Sequence, residues 1–269
     1  MSLAAVVVVP ARNEERHIEA CLLALGAQTL RPGRFATIVV LDACHDATAL
    51  VAARTARAVG LPLRCLTGPG AGSGPARRLG MDAACAQLLR AGRPTGLIAS
   101  TDADTRPAPD WLERQLAQID SGVEVVAGLI ELDDAEAAQL PAHVLAQRDH
   151  QAGIRLERVQ RNDPGAAHHH FAGASLGVTA RAYRRVGGLP DVPDLEDASF
   201  LRRLVDHGVA VRRAADVRVR TSARIDGPAR RGLSTDLAAA VRAGVADADR
   251  SIACGAPGVG AGDAGTALR

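Results

Sequence analysis

One pattern constrains this chain more than any other. Through its first hundred residues, short runs of β-branched and aliphatic residues alternate with stretches of helical spacing. Ala4 to Val9 is a continuous apolar run that stops at Pro10, as a strand buried on both faces would. Glu14 to Leu25 follows with Ile18, Cys21, Leu22 and Leu25 on one stripe. Ala36 to Leu41 is a second strand, ending at Asp42. Asp46 or Thr48 is placed to cap a helix that stops at Gly60. Leu63 to Leu66 is a third strand, a Gly-rich turn opens a helix from Pro75 to Leu89, and Gly96 to Ser100 is a fourth strand. Strand and helix in this rhythm predict a mostly parallel α/β sheet with right-handed crossovers.

The second half is less regular. Helices are expected over Trp111–Ile119, Pro141–Gln160, Leu195–His207 and Leu233–Arg250. Strands are expected over Val123–Leu132, near the end of His168–Val178, and once or twice within Val209–Val219. The Gly- and Ala-rich tail, 255–269, has little to bury and is expected to be disordered. No repeat or linker divides the chain, so a single domain is expected.

Composition narrows the function. The chain has three Phe, one Tyr and one Trp, too few for a base-stacking platform. Its net charge of +2 gives no electrostatic grip on duplex nucleic acid or anionic lipid. The basic residues are all Arg, so Schiff-base and P-loop lysine chemistry are excluded. Cys21, Cys44, Cys65, Cys85 and Cys254 show no CxxC spacing and read as small buried hydrophobes of a reduced compartment. The first apolar run is too short to span a membrane and lacks a basic leader, so a cytoplasmic location, at most peripheral to a membrane, is expected.

In an open parallel sheet, ligands bind beyond the carboxyl ends of the strands. Three polar clusters stand there: Pro10-Ala11-Arg12-Asn13-Glu14, Asp42, and Asp102-Ala103-Asp104. Just past a strand, carboxylates at i and i+2 can converge on one hard cation, Mg²⁺ or Mn²⁺, which keeps sites open for phosphate oxygens.

These segments, taken in order, resemble family 2 glycosyltransferases of the GT-A fold. The resemblance rests on PARNEE (10–15), VVLDACHDAT (39–48), GSGPARRLGMDAA (72–84), STDADTRPAPDWL (100–112), FAGASLGVTARAYRRVGGLP (171–190) and LED (195–197), and covers roughly residues 3 to 225. It implies one GT-A domain over 1–250, with a nucleotide-sugar half (1–104) and an acceptor half (105–232). It implies that Pro10, Ala11, Asn13 and Glu14 line the base pocket and that Asp42 accepts a hydrogen bond from the base. Arg77 would face the donor nucleotide, as a guanidinium at a helix start favours an anion. Asp102 and Asp104 match the metal-binding DxD, with Asp104 the better ligand. Asp197 matches the catalytic base, with Glu196 as the alternative, and Ala172–Ser175 matches a small-residue segment that lets an acceptor approach.

The implied reaction moves a sugar from a nucleoside-diphosphate donor to an acceptor hydroxyl with inversion. Retaining sugar phosphoglycerate synthases of similar fold, and nucleotidyltransferases, are the alternatives. The latter usually carry a basic first loop ending in Lys, which is missing here. The chain also lacks the QxxRW motif of processive members. Of the three consecutive histidines, His170 is expected to face the pocket, and His150 and His207 to lie on the surface. Arg224 or Arg230, after the last strand, is placed to supply positive charge to a diphosphate.

Overall fold

A computed structural model describes residues 3–192, 195–227 and 231–254, with side chains described as far as position 243. The expected tail and Arg230 lie outside the described residues. The chain runs β1 (Ala5–Ala11), α1 (Ile18–Gly26), β2 (Phe35–Leu41), α2 (Thr48–Ala58), β3 (Leu63–Thr67), α3 (Ser73–Arg90), β4 (Leu97–Ser100) and β5 (Thr105–Pro107). It continues with α4 (Trp111–Asp120), β6 (Val125–Leu132), α5 (Asp134–Ala137), α6 (Ala142–Gln160) and a 3₁₀ turn (Gly173–Ser175). Then come β7 (Leu176–Thr179), α7 (Ala180–Arg185), α8 (Glu196–Asp206), β8 (Val211–Thr221) and α9 (Leu233–Cys254).

The strands form one sheet in the order β3-β2-β1-β4-β7-β6-β8-β5. β1, β2, β3 and β4 are parallel, β7 runs antiparallel between β4 and β6, and β6 and β8 are again parallel. β1 lies near the centre with both faces covered. Ala5, Val7, Val9 and Ala11 pack into one core with α1 and Trp111, while Val6 and Val8 pack into another with α3, Tyr183 and Phe200. This two-faced burial explains the unbroken apolar run.

Three expectations need correction. β1 does not stop at Pro10 but continues to Ala11. The Val8 carbonyl accepts from the Thr101 amide on the β4 side, and the β1–β4 pairing ends at Val8–Ser100. Pro10, two residues on, faces that same side, so its missing N–H breaks no ladder bond. The segment before β8's end is one long strand, kinked where the register against β6 shifts at Gly128/Leu129. Gly128 is required there, because a Cβ would stand 2.1 Å from the Ser175 hydroxyl. Finally, Cys21 and Cys85 are buried but Cys65 is exposed, because β3 is an edge strand. β5 and α7 were not legible in the sequence, being three and six residues long.

Candidate active site

The loops after β1 and β2 are laced together. Asn13 Oδ1 accepts from the His45 amide (2.8 Å), Glu15 accepts from Ala47 (2.9 Å), and the Glu14 amide donates to Thr48 Oγ1 (2.7 Å). Asp46 accepts from both the amide and the hydroxyl of Thr48, capping α2. Pro10 and Ala11 are buried strand residues, and Ala11 belongs to the core. They offer a ligand backbone groups rather than side-chain walls.

Asp42 is 1% exposed. Its carboxylate accepts from the amides of Gly70 (2.6 Å) and Gly72 (2.9 Å), fastening the β3–α3 loop over the sheet end. Both oxygens therefore already hold backbone N–H groups, where a bond from a base had been expected. Gly70 and Gly72 have φ of +75° and +107°, which favours glycine.

Arg77 departs furthest from its expected place. It does not stand free before an anion; it is 4% exposed and fully engaged. Nε donates to Glu196 (3.0 Å), Nη1 to Ser100 Oγ (2.7 Å) and the Gly173 carbonyl (3.2 Å), and Nη2 to Asp102 (2.7 Å). One buried guanidinium thus joins the DxD turn, the 3₁₀ turn and the start of α8. Gly173 is required for this, since a Cβ would lie 2.2 Å from the Arg77 Cζ.

A second guanidinium closes the other side. Arg224, just beyond β8, donates to both oxygens of Glu14 (2.5 and 3.0 Å) and pairs with Asp104 (2.6 Å). His17 Nδ1 lies 3.2 Å from Arg224 and 2.9 Å from Glu14. The DxD turn is itself pinned by β8, as Asp104's carbonyl accepts from the Ser222 amide (3.1 Å). Burial and the repulsion of Asp102 push Asp104 up to about 6 despite Arg224. Such a carboxylate favours a cation nearby.

α8 begins with Glu196 and Asp197, after Leu195 at φ +57°. The three non-glycine residues with positive φ among the described residues are Asn13, Ala43 and Leu195. Each borders a motif of the site, and such strain, roughly 1–2 kcal/mol per residue, concentrates at functional sites. Glu196 is buried on Arg77, whereas the Asp197 carboxylate accepts from its neighbour's amide, Ala198 (2.7 Å). Burial, then the charge of Glu196, raises Asp197 above the ordinary carboxylate range.

What local reading missed is His17, Ser100 and the pairing of Arg77 and Arg224 with acids that it had already named. Those partners lie as far as 119 and 210 residues away in the chain, beyond any local signal. Among the described residues no three His, Cys, Asp or Glu form a preformed metal cage. Asp102 and Asp104 still fit a hard cation that draws its other oxygens from substrate phosphates.

An acid-rimmed strand-end site on a mixed sheet of this order is the architecture of the GT-A fold. The chain belongs to glycosyl transferase family 2, whose family model matches residues 6–180. A relative, glycosyltransferase AglE of Haloferax volcanii, is 29% identical over 126 residues, which cover 46% of this chain and 38% of that one. The chain thus matches well under half of that relative's length. Among solved structures, mannosyltransferase PcManGT from Pyrobaculum calidifontis, in complex with GDP-Man and Mn²⁺, shares the fold with a TM-score of 0.59 and 19% identity over 95% of this chain and 80% of that one. S. aureus TarS 1-349, in complex with UDP, aligns with a TM-score of 0.57 and 16% identity over 83% and 61%. Glucosyl-3-phosphoglycerate synthase from Mycobacterium tuberculosis, in complex with phosphoglyceric acid, gives 0.52 and 18% over 96% and 82%. No helix among the described residues is long and apolar enough to cross a membrane.

Proposed function

We propose that the enzyme transfers a sugar from a nucleoside-diphosphate sugar to an acceptor hydroxyl, non-processively and with inversion. The carrying observation is the Arg77 bridge, which ties Asp102 of the DxD turn to Glu196 beside Asp197. Asp102 and the residue before the candidate base are thereby held on one buried cation.

In this reading, Asn13, Glu14 and Asp42, with the backbone of Pro10 and Ala11, form the nucleoside pocket. Asp104 and Asp102 hold Mg²⁺ or Mn²⁺, which when bound neutralises charge on the diphosphate. Asp197 removes the proton from the acceptor hydroxyl as that oxygen attacks the anomeric carbon and the bond to the diphosphate oxygen breaks. Its raised proton affinity, and the lack of an ion pair to it among the described residues, suit it as a base. Glu196, bound to Arg77, sets the position of Asp197 on the helix. Arg77 acts as a positioning residue, and Arg224 supplies positive charge to offset the negative charge of the departing diphosphate.

Calorimetric titration of UDP and GDP, each with and without Mn²⁺, on wild type and Asp104→Ala tests the reading. The expected result is metal-dependent binding of one nucleotide that the variant loses. Absence of binding under every condition overturns it. The anomer of the product distinguishes inversion from retention.

A further inference from the structure

The three histidines do not reach the acids of the site; they close one side of a separate groove. This groove, of about 440 Å³, lies between α6 and β6. Ile130 and Leu132 of β6 face Leu145 and Leu156 of α6 across it. The His170 ring accepts from the Ile130 amide (3.3 Å), and the His168 ring accepts from the His170 amide (3.2 Å), so the histidines are fixed wall rather than mobile side chains.

α6 is unusual for a helix of 19 residues, since Val144 alone is fully buried. Val144 and Leu145 pack into a small core with Leu132, Ala223 and Leu237, and the rest of the apolar stripe, with Leu156, borders the groove. Gly153 sits in the middle of this helix, lines the groove, and has nothing within 4 Å of where a Cβ would be. Glycine there costs about 1 kcal/mol relative to alanine. Neither packing nor backbone conformation requires it, and its effect is to leave the wall bare.

Charge marks the same place. Arg148 lines the groove, and Arg155, two turns on, shares its helix face. The ion contact of Arg148 is a 3.9 Å approach to its neighbour Asp149, and Arg155 has no ion pair among the described residues. The acids at the rim are Glu131 and Asp134, and Asp134 is held by Arg220 (2.5 Å). Burial first, then the neighbouring histidines and these two arginines, lowers His170 to about 3; burial first, then Arg155, His168 and Arg148, lowers His169 to about 4, so both imidazoles are neutral at physiological pH.

The groove also has a position. Its Leu132 end pairs with Thr221 of β8, and the next residue, Ser222, donates its amide to the Asp104 carbonyl (3.1 Å). Through β8, its Leu132 end is thus tied to the DxD turn.

We infer that this groove binds an acceptor that is a single-chain lipid phosphate, its hydrocarbon between α6 and β6 and its phosphate on Arg148 and Arg155. This rests on the transfer reading above for the word acceptor, but not for the binding itself. A purely apolar occupant would leave two guanidinium groups unmatched, and a small anion would leave the Leu and Ile walls uncovered. At roughly 30 Å³ per water-sized group, the volume takes about fifteen such groups, the scale of a farnesyl chain.

The test is calorimetric titration of farnesyl phosphate, farnesol and inorganic phosphate, below the micelle concentration. The proteins are wild type, Gly153→Phe and the double variant Arg148→Glu/Arg155→Glu. Wild type should bind farnesyl phosphate at least tenfold tighter than farnesol or phosphate. Gly153→Phe should lose that binding with its circular dichroism unchanged, and the double variant should weaken it at least tenfold. Undiminished binding by Gly153→Phe, equal affinity for farnesol or phosphate, or no binding by wild type overturns the inference. UDP and GDP titrations on the same samples separate the two failures. Nucleotide binding without lipid binding sinks this inference alone, and the converse sinks the transfer reading alone.

Discussion

Replacing Arg77 by methionine keeps the unbranched apolar stem and removes the cation that joins Asp102 to Glu196. The guanidinium makes four hydrogen bonds, two of them to carboxylates at 2.7 and 3.0 Å. The Glu196 side chain is only 8% exposed and would be left without its counter-ion, while that of Asp102, 36% exposed, retains water. Removing one partner of a buried pair costs about 3–5 kcal/mol. At about 2–4 °C per kcal/mol for a chain of this size, the melting temperature should fall by roughly 6–20 °C. Urea unfolding and scanning calorimetry measure this directly. Adding Glu196→Gln to Arg77→Met should recover part of the loss, because the second change removes the orphaned charge. Gly173→Ala should be costly alone and cheaper in the Arg77→Met background, since the clash at 2.2 Å is with the guanidinium itself. A loss below about 1 kcal/mol, or strict additivity with both partners, would refute the bridge as an energetic element.

Three more outcomes are expected. Asp197→Asn should lower kcat by about 10²–10⁴ while donor affinity, read by calorimetry, stays within twofold; retention of near-normal turnover removes Asp197 as the base. Because the folded state holds His170 at about 3 against about 6.5 unfolded, the unfolded chain binds the proton first, and stability is present above pH 6.5 and lost as pH falls. His170 alone should account for about 2 kcal/mol of loss between pH 7 and pH 5 in denaturant titrations, with a shallower slope in His170→Asn. Gly80→Ala should destabilise despite the better helix propensity of alanine, because its Cβ would meet Val8 Cγ1 at 2.3 Å where α3 crosses β1; unchanged urea midpoints would contradict that packing.

Most of residues 1–104 was legible in the sequence for a physical reason. β1, β2 and β4 are buried strands whose apolar runs end directly in polar clusters, so the strand and its ligand-facing end are written in adjacent residues. Asp42, Asp102 and Asp104 were found this way. Their partners were not, because a guanidinium carries no local pattern that says which acid it meets. Arg77 reads as a helix-start cation aimed at an anion, and only the fold turns it towards Glu196. β5 is three residues ending in proline and has no signal of its own; it exists because β8 supplies its ladder. Leu195 is equally silent, since nothing in LED marks a left-handed backbone, which is imposed by the approach to α8.

The dependence of the DxD turn on β8 has a temporal side. Thr105, next to Asp104, pairs with Thr221, and Ser222 and Arg224 complete the surroundings of Asp104. A nascent chain therefore displays its acidic turn for the whole time needed to add 116 further residues before that support exists. At about 5–20 residues per second, this interval is roughly 6–23 seconds. The parallel core of β1, β2 and β4 can assemble early, but Asp104 acquires its counter-ion only once Arg224 has been made. A ribosome-stalled chain that stops short of Arg224 would thus own the parallel sheet without the cation beside Asp104, and completion of the acidic turn is a checkpoint set by β8 on the birth of each molecule.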